Sequence, residues 1–190
     1  TKTPLGKRYL KYKLLNPIVD SIEINNTYDA VSEFQIKNNT QYIFEGVSDQ
    51  LKSINDIQRL HRKMALKKLQ PYEFITLDNS YKKILTIISY LKQVAVDNNC
   101  KIIETELLKN NELEELDSFM QDYNQKIKMN EILGVNLNNI TDSFFNKGVF
   151  EEIDEQQEKL ETLKNYFNLF SLSLGAIIDN SDKTKAEIKS

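Results

Sequence analysis

The sequence predicts an all-α protein, an elongated multi-helix bundle that ends in a long coiled-coil-like helix. The chain of 190 residues contains only 5 glycines and 3 prolines, so few residues interrupt a helix. Charged residues make up 28% of the chain. Its apolar residues recur at three- and four-residue steps over long stretches, as they do on one face of a helix. These features together favour several long helices around a shared core.

The first two helices have local start signals. Thr3 is a capping residue, and Pro4 suits the first position of a helix that runs to Asn16 and is stopped by Pro17. A second helix is predicted over Ser21–Lys37, where apolar residues again recur at helical spacing.

The third and fourth helices are predicted over Tyr42–Ile54 and Asp56–Leu69, with Asn55 as the cap of the fourth. The fourth ends before Pro71, because the residue that precedes a proline is disfavoured in the helical conformation. Pro71 then opens a long helix to about Val96, with a core-facing stripe along one side. The stripe comprises Tyr81, Ile84, Leu85, Ile88, Leu91 and Ala95.

After a polar break, two helices are predicted over Ile102–Lys109 and Glu112–Leu133, with Gly134 as the C-terminal cap. The last helix begins near Ile153, and its apolar residues form the heptad seam of a coiled coil. The seam comprises Ile153, Leu160, Leu163, Phe167, Phe170 and Leu174, with Gln156 as a weak member. The polar tail 179–190 is predicted to be disordered.

Residue counts exclude several kinds of site. Cys100 is the only cysteine, which excludes an internal disulfide and a cysteine zinc site. This cysteine usage fits a reducing, intracellular compartment. No apolar run approaches ~20 residues and no signal peptide is evident, so we expect no membrane span. The chain starts at Thr1 rather than Met, which indicates a fragment or a processed product.

Three blocks of the sequence resemble the MutS family of DNA mismatch-repair proteins. Residues 1–17 follow the family pattern Thr-x-Thr-Pro-x-Gly-x-Arg-x-Leu. Residues 56–71 follow the pattern Asp-Ile-x-Arg-Leu, which leads to a proline, and residues 144–154 resemble a turn that precedes a long helix. Thr27 departs from the family, which usually has an arginine there.

The resemblance implies the helical core of a MutS-type protein, the lever or domain III. Residues 1–150 would form the lever, 151–178 the start of the arm that leads toward the DNA clamp, and 179–190 the tail. The segment would transmit movement between the clamp and ATPase domains of the same chain. The parent protein would bind mismatched double-stranded DNA, ATP and Mg, and would act as a homo- or heterodimer without a membrane partner. The compartment of the genome it serves is open.

The segment itself is expected to hold neither ligand site of that family and to be no enzyme. A phosphate loop needs two closely spaced glycines before a lysine. The glycines lie far apart, at Gly6, Gly46, Gly134, Gly148 and Gly175. The family's mismatch reader is a Phe-x-Glu motif in an N-terminal domain. Phe150 and Glu152 reproduce that string inside the third block, which we interpret as coincidence.

A basic face on the fourth helix is the candidate contact site. It comprises Arg59, Arg62, Lys63 and Lys67. These cations could neutralise DNA phosphates or contact a neighbouring domain, and a solvated face is the simpler interpretation. His61, the only histidine, lies at the edge of the helix's apolar face and is interpreted as structural. The acidic run 151–161 is interpreted as a solvated face that suits a helix N-terminus.

An independent helical interaction module, such as a coiled-coil adaptor, is the alternative that helical patterns alone permit. The Thr3–Pro17 and Asp56–Pro71 blocks separate the two interpretations, because an adaptor does not need them. An enzyme in its own right is the least favoured class, since the residues of a nucleophilic triad or a metal site would have to converge on one histidine and one cysteine.

Overall fold

The computed structural model describes residues 1–107, 110–138 and 140–178, and it is predominantly helical, as predicted. The tail 179–190 lies outside these ranges. The elements are α1 (Pro4–Leu15), α2 (Ser21–Phe34), β1 (Lys37–Asn38), β2 (Gln41–Tyr42), α3 (Ile43–Leu51), α4 (Ile57–Ala65), α5 (Pro71–Asn98), α6 (Asn110–Lys126) and α7 (Glu151–Ile178). A π-helical segment, Ile103–Leu107, follows α5, and a 3-10 turn, Ile132–Gly134, follows α6.

The first helix begins as its sequence predicts. The Thr3 hydroxyl accepts a hydrogen bond from the Gly6 amide at 2.9 Å, and Pro4 takes the first helical position. None of the α1 residues is buried. Burial therefore does not hold α1 in place, and polar contacts at its surface become important.

The second helix is shorter than predicted. It ends at Phe34 rather than Lys37, because the chain turns there into the antiparallel hairpin β1–β2. Asn39 makes the turn with φ of 58°, a left-handed conformation that asparagine tolerates well. The short hairpin was missed because its two-residue strands have no apolar alternation to detect.

Two predictions for the fourth helix are wrong. Its cap is Asp56, whose carboxylate accepts the Arg59 amide at 3.2 Å, whereas the Asn55 amide donates to the Ser80 hydroxyl on α5. The helix ends at Ala65 rather than Leu69, and Lys67 leaves it with a left-handed φ of 55°.

The long helix α5 is the centre of the fold, with apolar clusters on both halves. The first cluster comprises Ile43, Ile54, Ile87, Leu91, Val94, Ala95, Cys100 and Ile103. The second comprises Leu60, Leu77, Tyr81, Met120 and Tyr123. The predicted stripe is buried or half-buried, but it omitted Leu77, Ile87 and Val94. A single stripe cannot account for all the buried residues of α5, because α3, α4 and α6 pack around it from different sides.

Two close contacts fix neighbours of α5. Gly46 on α3 approaches Tyr90 so closely that a Cβ at residue 46 would lie 2.6 Å from the tyrosine hydroxyl. At the end of α2, the Glu33 carboxylate accepts the amides of Ile102 and Ile103, both at 2.9 Å. Glu33 thereby caps the start of the segment that was predicted as an α-helix and is π-helical.

The sixth helix ends at Lys126 rather than Leu133, so Gly134 is not its cap. Ile127 instead forms an antiparallel bridge with Phe145. The Lys126 carbonyl accepts the Asn146 amide at 2.9 Å, which ends α6 by pairing its last residues with the segment before α7.

The turn before α7 matches the prediction for the third block. Gly148 has a φ of 89°, and its amide donates to the Asp154 carboxylate at 2.7 Å. Only glycine takes that conformation without strain. The predicted arm is a continuous helix, Glu151–Ile178. An ion pair of 2.9 Å between Asp142 and Lys164 ties it to the preceding loop.

Candidate functional site

The helix α4 separates an apolar face from a basic face. Leu60 is buried against α5, and Arg59 and Arg62 point to solvent. These two arginines are three residues apart, which places them on neighbouring turns of one side. Neither forms an ion pair with another residue in the described part of the chain.

Lys63 differs from the two arginines, because its ammonium donates to the Glu73 carboxylate on α5. The same carboxylate accepts the Gln70 amide at 3.1 Å and so caps α5. The hydrogen bond from Lys63 lowers the pKa of Glu73 and keeps it ionised. Lys63 therefore joins two helices, and its charge is already neutralised.

Lys67 also leaves the predicted face, because α4 has ended before it. Its left-handed backbone carries it to the edge of an apolar groove. Of the four predicted contact residues, the structure therefore keeps Arg59 and Arg62 together as exposed cations. Spacing along a helix could not reveal the Lys63–Glu73 pair or the early end of the helix.

Arg8 forms a contact that sequence reasoning missed. Its guanidinium donates to both carboxylate oxygens of Asp56, at 2.8 and 2.7 Å, and to the Gln58 amide oxygen at 2.8 Å. The hydrogen bond from Arg8 lowers the pKa of Asp56, which also caps α4. The paired geometry fixes the orientation of α1 on α4. The only sequence signal for this contact was that Arg8 and Asp56 both belong to blocks that resemble the family.

The remaining polar candidates are engaged within the fold. His61 Nε2 lies within hydrogen-bond distance of the buried Tyr81 hydroxyl. Cys100 is buried, and burial together with nearby Glu33 raises the pKa of its thiol. Over the described ranges, no group of three or more His, Cys, Asp or Glu side chains is arranged to hold a metal ion.

The Phe-x-Glu string lies in the turn that starts α7. The Phe150 ring packs edge-on against Phe145, with their centroids 4.8 Å apart. The acidic run that follows supplies Asp154 to the Gly148 amide and Glu158 to Lys147 at 2.9 Å. These contacts give the turn and the acidic run structural partners.

An open apolar groove of about 300 Å³ lies beside α4. Its walls come from α4, the start of α5 and the loop 127–144. They include Met64, Leu69, Phe74, Ile132, Leu137 and Phe144, with Lys67 at the edge. The Leu137 amide donates to the Gln70 side chain at 3.0 Å and holds the loop against α5.

Among the helices that the structure describes, none has the length and apolar composition that crossing a membrane requires.

Comparison with known proteins gives a consistent picture. The family model described as MutS domain III matches residues 1–171. A mutS homolog of Acanthamoeba polyphaga mimivirus, named as a DNA mismatch repair protein, is 36% identical over 188 residues, which is 97% of this chain and 16% of the homolog. The DNA mismatch repair protein MutS of Clostridioides difficile is 28% identical over 190 residues, which is 100% of this chain and 18% of that protein.

A more local match is the mitochondrial DNA mismatch repair protein mutS homolog of Sarcophyton glaucum. It is 38% identical over 94 residues, which is 47% of this chain and 9% of the homolog. The chain thus spans less than a fifth of the length of each of these relatives.

Proposed function

Since the chain belongs to the MutS domain III family, we propose that it couples movement between the DNA-contacting and ATP-hydrolysing parts of a longer mismatch-repair protein. The observation that carries the proposal is α7, a single helix of 28 residues with its base tied to the core. At 1.5 Å per residue it is about 42 Å long. A helix of that length turns a small rotation at its base into a displacement of its far end.

The base of α7 has the contacts that such coupling needs. Asp142 and Lys164 pair across the loop and the helix, and the Gln157 side chain accepts the Ser143 amide at 3.1 Å. Asn146 continues this path, because its amide donates to Lys126 at the end of α6. Coupling requires packed elements that both sites can bias. This polar network joins α7 to α6 and is our candidate for such an element.

The N-terminal helices have their own link to the core. Arg8 joins α1 to the cap of α4, and Lys63 joins α4 to the start of α5 through Glu73. A displacement of α1 therefore reaches α5 through two charge-assisted contacts. We propose this route as the input from the other end of the parent protein.

ATP, Mg and the mismatch reader belong, in this proposal, to other parts of the longer protein. The glycine spacing of this chain does not fit a phosphate loop, so none of its residues is assigned to nucleotide. A double-stranded DNA partner, a MutS-type dimer and an intracellular site of action follow from the family resemblance and are part of the same proposal.

Arg59 and Arg62 are the residues we propose for contact with DNA phosphate or with a neighbouring domain. Their guanidinium groups are exposed and can form paired hydrogen bonds with phosphate or carboxylate. We leave Lys63 out of this proposal, because its ammonium donates to Glu73. Any DNA binding by the chain should be weak and blind to mismatches, since phosphate contacts carry no sequence information.

The coupling role can be tested in the gene product that contains this segment. Gly148→Val places a branched side chain at a φ of 89°, whereas Gly134→Val changes a residue with open space around it and an ordinary backbone. We expect the Gly148 variant to keep DNA binding and basal ATP turnover but to lose the response of turnover to DNA. The Gly134 variant should keep that response.

Two outcomes would contradict the proposal. One is a Gly148 variant that responds fully to DNA while circular dichroism shows it folded. The other is nucleotide turnover by the 190-residue chain alone that follows the protein through further purification. The alternative, an independent coiled-coil adaptor, would need only the seam of α7. In that case neither glycine substitution would change the result of a DNA-dependent assay.

A further inference from the structure

We propose that the groove between α4, α5 and the loop 127–144 docks a protein segment that presents a bulky apolar side chain next to a carboxylate. This inference does not depend on the coupling role proposed above. It rests on the apolar walls of the groove and on the sign of the charges at its edge.

The walls of the groove are apolar and supported from behind. Phe74 packs edge-on against Tyr123, with ring centroids 4.9 Å apart, and Ile132 is buried against α5. The hydrogen bond from the Leu137 amide to Gln70 fixes the outer wall. A supported apolar pocket of about 300 Å³ suits one large aliphatic or aromatic anchor, the kind of side chain that dominates binding energy at interfaces.

The charged residue at the edge of the groove is a cation. Lys67 lines the groove, Lys68 follows it, and neither forms an ion pair within the described ranges. No carboxylate is among the described residues that line the groove, and Glu73, next to Phe74 in the chain, already accepts from Lys63. An acidic residue beside the apolar anchor would complement this edge, whereas a basic residue would be repelled.

The backbone of Lys67 explains how this cation comes to line the groove. Lys67 has a φ of 55° because it ends α4, where the Lys68 amide donates to the Lys63 carbonyl at 2.8 Å, as at many left-handed helix ends. Here the left-handed turn ends α4 and carries the lysine to the groove instead of leaving it on the helix face.

The probes for the test are two N-acetylated octapeptides that share a Leu-Phe pair. One carries two aspartates after the pair and the other carries two lysines. Each is titrated into the methyl-labelled 190-residue chain at low salt, and NMR shifts are followed at Met64, Ile132 and Leu137. We expect the acidic peptide to shift these methyls and to bind roughly fivefold more tightly than its lysine twin, as a single exposed charge contact allows.

Matched variants locate the binding. Leu137→Ser removes part of the wall and should weaken binding of the acidic peptide, whereas Leu133→Ser, on the same loop but outside the groove, should not. Lys67→Glu should reverse the preference between the peptides. Lys92→Glu makes the same charge change far along α5 and should preserve it.

Three results would overturn the proposal. Equal binding of the two peptides would show that the groove does not prefer a carboxylate beside the apolar side chain. If Leu133→Ser and Leu137→Ser weaken peptide binding equally in folded variants, the peptide does not bind in the groove. Methyl shifts that depend on protein concentration without any peptide would assign the groove to a second copy of the chain.

Discussion

Helices α5 and α7 are each 28 residues long and both show apolar residues at helical spacing, yet they are held in opposite ways. Leu77 of α5 is fully buried, whereas Leu163 and Phe167 of α7 are 54% and 50% exposed. Packing on both halves stabilises α5. Polar contacts at its base hold α7, and α1 resembles α7 in this respect. Periodicity therefore predicts a helix but does not tell whether the partner that covers its apolar face is present.

The largest expected difference between the two helices is in core substitutions. Leu77→Ala should lower the free energy of unfolding by about 3 kcal/mol, because it opens a cavity in the second cluster. Leu163→Ala should cost less than about 0.5 kcal/mol, since its side chain is already half in water. Urea unfolding followed by circular dichroism measures both. Similar costs would mean that α7 is packed against the core in solution.

The exposed seam of α7 should show itself as self-association. Apolar side chains in a continuous exposed row tend to find a partner, and a second α7 offers a matching row. Replacing Leu163 and Phe167 with Glu should abolish any dimer seen by light scattering, while the helices before Asn146 keep their circular dichroism signal. A dimer that persists unchanged, or a loss of the whole fold, would show that the seam is misassigned.

A smaller effect is expected at the turn that starts α7. Gly148→Ala should cost about 1 kcal/mol of stability, because alanine is strained at a φ of 89°. Gly134→Ala should be neutral or slightly stabilising, since residue 134 has ordinary geometry and open space. Thermal unfolding of the two variants, compared side by side, distinguishes the conformational effect from the added methyl group.

The smallest expected effect is local and depends on pH. The hydrogen bond from Arg8 lowers the pKa of Asp56 in the folded chain, so this contact stabilises the attachment of α1 above the ordinary aspartate pKa. That stabilisation should be lost as the pH falls below about 4. Hydrogen exchange of the α1 amides should therefore accelerate, beyond its intrinsic pH dependence, before that of the α5 amides. Arg8→Met should abolish this difference in pH response, and an unchanged profile would argue against the contact.

Local signals predicted the parts of the fold that depend on a few neighbouring residues. Thr3 with Pro4 and Pro71 marked helix starts correctly, and the third block marked the start of α7. The failures occurred where distant residues decide. Bridge formation between Ile127 and Phe145 stops α6 early, and no pattern within the helix could show it.

For the candidate site, too, prediction succeeded where neighbouring residues decide and failed where distant residues decide. Helical spacing correctly put Arg59 and Arg62 on one exposed side of α4. It could not separate them from Lys63, because the partner of Lys63 lies ten residues away on another helix. The groove escaped prediction altogether, since its walls come from three segments that meet only in the folded chain.

The close approach of Gly46 to Tyr90 has an evolutionary consequence. Any side chain at residue 46 would meet the tyrosine hydroxyl, with even a Cβ only 2.6 Å away. A lineage can therefore enlarge residue 46 if residue 90 becomes smaller, if the Tyr90 ring turns aside, or if α3 shifts along α5. We expect the two positions to vary together among relatives, with a tyrosine at 90 accompanied by a glycine at 46.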